Sequence, residues 1–165
     1  MTIVRWVLVG CLSLGCGLVH AMVTPWMDFQ IVRGFVVIPT QVHGIKGYSV
    51  IDTGAQFTGI EHSFVERNNL QLTRGRALKL SGLSGVDVRP TYQNVPVTIM
   101  GAELEFAQLI DMELDERAQL LIGADFLRTL YFQFDYPNKR LRAISREAFD
   151  LKKLCLLYTS PSPRD

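Results

Sequence analysis

Residues 49–55 read Ser-Val-Ile-Asp-Thr-Gly-Ala, and this stretch decides the fold because an apolar strand runs directly into an acidic turn. The β-branched residues favour an extended backbone up to Ile51. Gly54 permits backbone angles that residues with a Cβ resist, so the chain can turn sharply just past the strand. Asp52 is therefore expected at the end of a rigid element, where a carboxylate has the fixed position that catalysis requires.

The tripeptide Asp-Thr-Gly is by itself compatible with two structures. One is a solvated turn capped by the Asp side chain, since all three residue types are common in turns. The other is a catalytic loop. The tripeptide alone does not decide between them, so the choice depends on the rest of the chain.

The composition indicates one globular domain. The chain has 165 residues, of which 48% are hydrophobic and 20% are charged, so it can bury a core and is not expected to be disordered. The net charge is +1 and no basic stripe stands out, which argues against a nucleic-acid partner.

The N-terminus is typical of an export signal. Arg5 precedes an uncharged apolar run from Trp6 to Val19, which is 14 residues and short for a membrane span. The run is followed by Val-His-Ala, with a small residue at the cleavage position. Residues 1–21 are therefore predicted to be a signal peptide cut after Ala21, and the domain is expected to be exported, most simply to a bacterial periplasm.

Two alternatives for this leader stay open, and both would bring the protein to a membrane. The segment from Leu18 to Val23 could extend the run into an uncleaved anchor, and Cys11 follows Leu-Val-Gly in a short lipoprotein pattern. Cys16 also lies in the leader and Cys155 lies near the C-terminus. Residues 22–154 contain no cysteine, so a disulfide or a thiolate metal site is not expected there.

The remaining pattern is one of short strands separated by turns. Two short helices are predicted, at Glu61–Leu70 and Ala124–Leu130. The extended or apolar segments are Gly34–Val42, Tyr48–Ile51, Arg76–Leu80, Val86–Tyr92, Val95–Met100, Glu103–Ile110, Gln119–Ile122, Tyr131–Asp135 and Arg140–Ile144. This predicts an all-β domain over residues 22–150, a closed or nearly closed small β-barrel with one or two short helices. Residues 151–165 are expected to be a disordered or non-native tail.

Several acidic residues and one histidine outside the central stretch are candidate site residues. His62 and Glu66 share a helix face and could bind a metal, but no third ligand is in sight, so a solvated face is favoured. Asp125 is interpreted as a helix-start residue that accepts backbone N–H groups. A solvated loop is predicted for the acidic run of Asp111, Glu113, Asp115 and Glu116.

The order of the parts resembles that of the single-domain, retropepsin-like aspartic proteases, in particular the exported bacterial members. A hairpin leads to Asp-Thr-Gly-Ala, a glycine-rich hairpin follows, and then come Leu121, Ile122 and Gly123 before a short helix. The resemblance covers about residues 30–145. It implies that the Leu-Ile-Gly element packs behind the Asp-Thr-Gly loop. Ala124 stands where retroviral members often have Arg, which removes an ion pair that steadies the retroviral dimer.

The resemblance also assigns roles to individual residues. Asp52 would be the catalytic carboxylate, Thr53 would brace two loops across a dimer axis, and Gly54 would let the substrate backbone approach. Ala55 replaces the Ser of many relatives and removes a possible donor to the carboxylate, so activity is expected to extend toward mildly acidic or neutral pH. The tip of a flap that closes over the substrate would be formed by Ser81, Gly82, Leu83, Ser84 and Gly85, which could also be an ordinary hairpin turn.

The chemistry implied by the resemblance needs two carboxylates. One removes a proton from water while a protonated partner polarises the scissile carbonyl, and two close carboxylates can share that proton. The chain has one Asp-Thr-Gly, so a homodimer acting on an extended protein or peptide segment is expected, with no cofactor and no metal. The alternatives are a catalytically silent β-domain that binds peptides in the same groove and a purely structural domain.

Overall fold

The computed structural model describes residues 22–82, 85–114 and 117–148. The predicted leader at 1–21 and the predicted tail at 151–165 therefore lie outside the described residues, together with Leu83 and Ser84 of the predicted flap tip. Asp115 and Glu116 of the acidic run lie outside them as well.

The described residues form fifteen strands and two short α-helices. The strands are β1 (Met27–Asp28), β2 (Gln30–Val32), β3 (Phe35–Val42), β4 (Ile45–Ile51), β5 (Gly59–Glu61), β6 (Thr73–Arg74), β7 (Leu78–Gly82), β8 (Gly85–Arg89), β9 (Thr91–Gln93), β10 (Val95–Ile99), β11 (Ala102–Phe106), β12 (Leu109–Met112), β13 (Leu120–Ile122), β14 (Tyr131–Asp135) and β15 (Arg140–Ile144). The helices are α1 (His62–Arg67) and α2 (Ala124–Leu127), and a 3₁₀ turn covers Arg146–Ala148.

One large sheet contains most of the strands. Its order is β11-β10-β3-β4-β13-β5-β12-β9-β6, with β2 paired to β3 at one side. The sheet curls into a half-barrel, so the predicted fold class is confirmed. Most neighbours are antiparallel, but β13 runs parallel to β4 and β12 runs parallel to β5. The strand that leads to Asp52 therefore lies in the middle of the sheet.

The core consists of buried side chains from most strands of this sheet. Residues on β3 alternate between exposed and buried positions, as expected of a strand with one face in a core. Ile38 and Val42 on β3, Leu120 and Ile122 on β13, and Leu109 on β12 are each at most 1% exposed. The buried aliphatic side chains thus hold β4 from both neighbouring strands.

The hairpin of β3 and β4 has a shorter turn than the sequence predicted. The strands predicted at Gly34–Val42 and Tyr48–Ile51 left residues 43–47 for the turn, but β4 already begins at Ile45 and only His43 and Gly44 connect the strands. Both have positive φ, 52° and 78°, as in the two-residue turn that matches the twist of paired strands.

The strand predicted over residues 103–110 is divided in the structure, because β11 ends at Phe106 and β12 begins at Leu109.

The two ends of the described chain pair with each other. Strand β1 is antiparallel to β15, which also pairs with β14 in a small three-stranded sheet. Before β1, the Thr24 N–H donates to the Ala143 carbonyl at 2.9 Å and the Ser145 N–H donates to the Met22 carbonyl at 2.8 Å.

Strands β7 and β8 form a separate two-stranded sheet that hydrogen-bonds to no other described strand.

Within the described ranges 22–82, 85–114 and 117–148, no helix has the length and apolar character needed to cross a membrane.

Candidate active site

Strand β4 delivers Asp52 to the surface at a fixed position. Ile51 pairs with Val36 on one side and with Ile122 on the other, and the Asp52 N–H continues the ladder by donating to the Ile122 carbonyl at 3.0 Å. The Gly54 N–H then donates to Asp52 Oδ1 at 2.8 Å, which closes the turn predicted from the sequence. Asp52 is half-buried, so its carboxylate is held by the protein and still reached by water.

The rest of the Asp-Thr-Gly loop projects outward. Thr53 and Gly54 are exposed, although they come directly after a strand whose last residue is buried. Ala55 is half-buried, and its N–H donates to the Asp52 carbonyl at 3.3 Å. The loop therefore presents its tip to solvent while its two ends are bonded to the domain.

The Leu-Ile-Gly element lies against this loop. Leu121 and Ile122 pair with the last two residues of β4, and after them the Ala124 N–H donates to the Ala55 carbonyl at 2.8 Å. A Cβ on Gly123 would lie 2.5 Å from the carbonyl carbon and oxygen of Phe57. The glycine is therefore required by close packing of two backbone segments, which is the arrangement that the resemblance implied.

Sequence reasoning missed the role of Thr58. This residue is 1% exposed; its N–H donates to Asp125 Oδ2 at 2.9 Å, and its hydroxyl donates to Asp125 Oδ1 at 2.6 Å. The same hydroxyl accepts the Gly123 N–H at 3.1 Å. Asp125 also accepts the Phe126 N–H at 2.8 Å, so the predicted helix-start role is one part of what it does. Its carboxylate mainly joins α2 to the far end of the loop over residues 52–58, here called the Asp52 loop.

A groove of about 500 Å³ opens beside Asp52. Tyr48, Val50 and Asp52 occupy every second position of the chain and all line it, as side chains on one face of a strand do. This alternation is the signal from which the groove-facing residues of β4 could have been found. The other lining residues are Gln30, Val32, Arg33, Phe35, Val37, Leu114, Arg117, Ala118 and Leu121.

The lining of the groove is mainly apolar. Among the described residues that form it, Asp52 carries the only carboxylate, and Arg33 and Arg117 carry the only positive charges. A mainly apolar groove with a single described acid offers surface to the apolar groups of a ligand.

The predicted flap is a hairpin in the structure. Ser81 pairs with Val86 and Gly82 pairs with Gly85, so the strands run up to the two tip residues outside the described part. Val86 and Val88 are 60% and 62% exposed on β8, and neither lines the groove. The hairpin itself is confirmed, and its role as a flap stays a prediction.

The prediction of a solvated acidic run is wrong for Asp111. This residue lies in β12 and is 6% exposed, and its Oδ2 accepts the Tyr92 hydroxyl at 3.0 Å. His62 Nδ1 lies 3.0 Å from the same carboxylate, while His62 Nε2 lies 3.2 Å from Glu66 Oε1. The hydrogen bond and charge of Asp111 raise the pKa of His62 above 6.5, and Glu66 adds to this. Burial, followed by the bond to Asp111, raises the pKa of Tyr92.

These groups form a structural cluster that links α1 to β12. Among residues 22–82, 85–114 and 117–148, no group of three or more histidine, cysteine, aspartate or glutamate side chains is arranged to hold a metal ion.

Comparison with protein families assigns the chain to a family of aspartic proteases. Residues 38–129 match the family described as "gag-polyprotein putative aspartyl protease", and the match covers more than half of the chain. The chain therefore belongs to this family of aspartic proteases, and the matched segment contains both the Asp52 loop and the Leu-Ile-Gly element.

Solved structures give the same answer for the fold. The chain is similar to a retropepsin-like aspartic protease from Rickettsia conorii, with a TM-score of 0.52 and 19% sequence identity. The similarity covers 76% of this chain and 96% of that chain, and it confirms a retropepsin-like fold. No curated protein matches the chain in a sequence search.

Proposed function

We propose that the protein is an aspartic endopeptidase that works as a symmetric homodimer, with Asp52 of each copy as the catalytic carboxylate. The observation that carries the proposal is the position of Asp52. It is fixed at the end of a central strand, it lines an apolar groove, and it is the only carboxylate among the described residues of that groove. Membership of an aspartic protease family supports the same reaction.

The reaction follows from two such carboxylates in contact. One, ionised, takes a proton from a water molecule as that water attacks the scissile carbonyl carbon. The other, protonated, donates a hydrogen bond to the carbonyl oxygen and stabilises the charge that develops there. The two groups share one proton because adjacent like charges repel, and they titrate as a pair. The described lining of the groove supplies one carboxylate per copy of the chain, so we propose that a second copy supplies the other.

The shape of the Asp52 loop supports contact with a second copy. Thr53 and Gly54 are exposed at the tip, beside a half-buried Asp52, so a two-fold axis near the tip would bring two loops and two carboxylates together. Ala124 at the start of α2 carries no charge, so this dimer would not use an ion pair at that position. Ala55 has no hydroxyl to donate to the carboxylates, and activity is expected to extend toward mildly acidic or neutral pH.

The groove and the hairpin of β7 and β8 suggest how a peptide binds. An extended segment with apolar side chains would lie along the groove, and the hairpin would close over it and exclude water. Ser81 to Gly85 would form the moving tip, and the exposed Val86 and Val88 would supply apolar surface to the closed state. The signal peptide predicted at residues 1–21 supports an activity outside the cytoplasm, in a periplasm or on a membrane surface.

The test is cleavage of a denatured protein mixture by the full chain and by Asp52→Asn. Loss of an acid–base carboxylate is expected to lower the rate about a thousandfold. Because the side chains have nearly the same size, dimerisation measured by sedimentation should not change. Peptide binding without cleavage by the wild-type chain would contradict the proposal and favour a catalytically silent peptide-binding domain.

A further inference from the structure

One wall of the groove is a loop between two strands. Residues 113–119 connect β12 to β13, and the described residues among them, 113–114 and 117–119, are here called the groove loop. Leu114, Arg117 and Ala118 of this loop line the groove together with Asp52. The width of the groove therefore depends on what holds the two ends of the loop.

Both ends are bonded to Glu61, the last residue of β5. Strand β5 lies between β12 and β13 in the sheet, so Glu61 is next to the strand that enters the loop and the strand that leaves it. Its carboxylate Oε2 accepts the Leu114 N–H at the start of the loop. Its own N–H donates to the Gln119 carbonyl at the end of the loop, at 2.9 Å.

The same carboxylate also begins helix α1. Glu61 Oε1 accepts the Ser63 N–H at 3.1 Å and the Ser63 hydroxyl at 2.9 Å. The residue is 4% exposed, so water does not replace these partners easily. Donors reach both oxygens, which suits a carboxylate because each of its oxygens accepts. A glutamine amide at this position would turn its NH₂ group toward one of the donors, and that donor would lose its acceptor.

From these contacts we infer that Glu61 is a positioning residue, which fixes the groove loop and thereby sets the affinity of the enzyme for its peptide. The inference rests on the proposed function of the groove. In the described part of the chain, none of the hydrogen bonds that the Glu61 carboxylate accepts comes from the Asp52 loop. A change at Glu61 should therefore act on substrate binding, with the chemical step left intact.

The sharpest variant is Glu61→Asp, because aspartate is a good helix N-cap but is one methylene shorter. It keeps the charge and can keep the cap of α1, while it gives up the bond to Leu114. The matched control is Ser63→Ala, which removes the hydroxyl bond from the same carboxylate but leaves the groove loop attached.

Two measurements separate positioning from general stability. In Glu61→Asp, amide hydrogen exchange at Leu114 and over residues 117–119 should become about tenfold faster. For a quenched fluorescent peptide with apolar side chains, KM should rise about fivefold while kcat stays within about twofold of the wild type. In Ser63→Ala the thermal midpoint should fall, with loop exchange and KM as in the wild type.

The wild-type chain supplies a test that does not depend on a variant folding. The Leu114 amide lies in a loop, yet it should exchange as slowly as amides in β13. Exchange at the rate of an open loop would overturn the inference, as would a Glu61→Asp variant with wild-type loop exchange and KM. An equal change of KM in Ser63→Ala would overturn it too, because the effect would then come from α1.

Failure of the proposed function would look different. If neither the wild type nor the variants cleave any peptide, the endopeptidase proposal fails. The loop exchange, and the affinity for the same peptide measured by fluorescence anisotropy in an Asp52→Asn background, still decide the role of Glu61.

Discussion

The Asp52 loop and the hairpin of β7 and β8 differ in how they are attached to the domain. The loop, residues 52–58, is bonded to residues 122–125 by backbone and side-chain hydrogen bonds, and its Thr58 is 1% exposed. The hairpin pairs only with itself among the described strands, and its Val86 and Val88 are 60% and 62% exposed.

This difference in attachment fits different roles for the two regions under the proposed function. A catalytic carboxylate works best when its position is fixed before the substrate binds. The many hydrogen bonds of the Asp52 loop fix the position of Asp52 in this way. Under the proposed function the hairpin would open and close over the substrate, and a segment with few buried contacts can make such a movement. Substitutions in the two regions should therefore have different effects, and three predictions follow in order of size.

The largest effect is expected from Gly123→Ala, which acts on the fixed region. The added Cβ would lie 2.5 Å from the Phe57 carbonyl, and backbone on both sides cannot move aside. We expect a loss of about 3 kcal/mol of unfolding free energy, measured by urea denaturation.

The control for this prediction is Gly44→Ala. A Cβ there meets open space, and only the positive φ of 78° opposes it. Gly44→Ala should lower the unfolding free energy by about 1 kcal/mol. Equal costs for the two variants would mean that close packing at Gly123 is not what fixes the loop.

A smaller effect is expected from the double variant Val86→Ser and Val88→Ser in the hairpin. Both side chains are exposed, so the unfolding free energy should change by at most about 0.5 kcal/mol. Their apolar surface would be buried in the closed state, so KM for an apolar peptide should rise about tenfold. Replacement of both by Ile keeps the apolar surface and should give the wild-type KM. A stability loss as large as that of Gly123→Ala would show that the hairpin is part of the fixed region.

The smallest effect concerns His62, which lies outside both regions. Its pKa in the folded protein is raised above 6.5, chiefly by Asp111, so the protonated ring stabilises the fold. This contribution is complete below pH 6.5 and is lost as the pH rises through the raised pKa. The ring is 46% exposed and screened by solvent, so the contribution is expected to be only about 0.5 kcal/mol.

The measurement is the unfolding free energy of the wild type and His62→Gln as a function of pH. The difference between them should shrink as the pH rises from about 6 to about 9. Glu66→Gln should retain most of the pH dependence because Asp111 is the larger cause of the shift. A difference that grows with pH would contradict the assigned sign.

The sequence was most informative where structure is local. The hairpin leading to Asp52, the turn at Gly54 and the short helix after Gly123 each depend on residues that are neighbours in the chain, and each was predicted. The all-β fold followed from the repetition of such units. The family resemblance implied that the Leu-Ile-Gly element packs behind the Asp52 loop, but the register in which Ile122 pairs with Ile51 was not predicted.

The sequence was least informative where a side chain depends on distant partners. Asp111 was predicted to be solvated because acidic residues follow it, but a Tyr92 hydroxyl and a His62 nitrogen from other elements make its burial possible. Glu61 was interpreted only as part of a helix, since nothing local indicates that Leu114 will donate to its carboxylate. The groove walls combine β2, β3, β4 and the groove loop, and no single stretch of sequence contains that surface.

The pairing of the chain ends has a mechanical consequence. Met22 lies beside Ser145, so the polypeptide enters and leaves the domain at one end of the same antiparallel ladder. A force applied through both ends would unzip the two strands, because it would load these interstrand hydrogen bonds one after another rather than all at once. A tether at one end and a load at the other would therefore strip away β1 before the strands around Asp52 carried any tension.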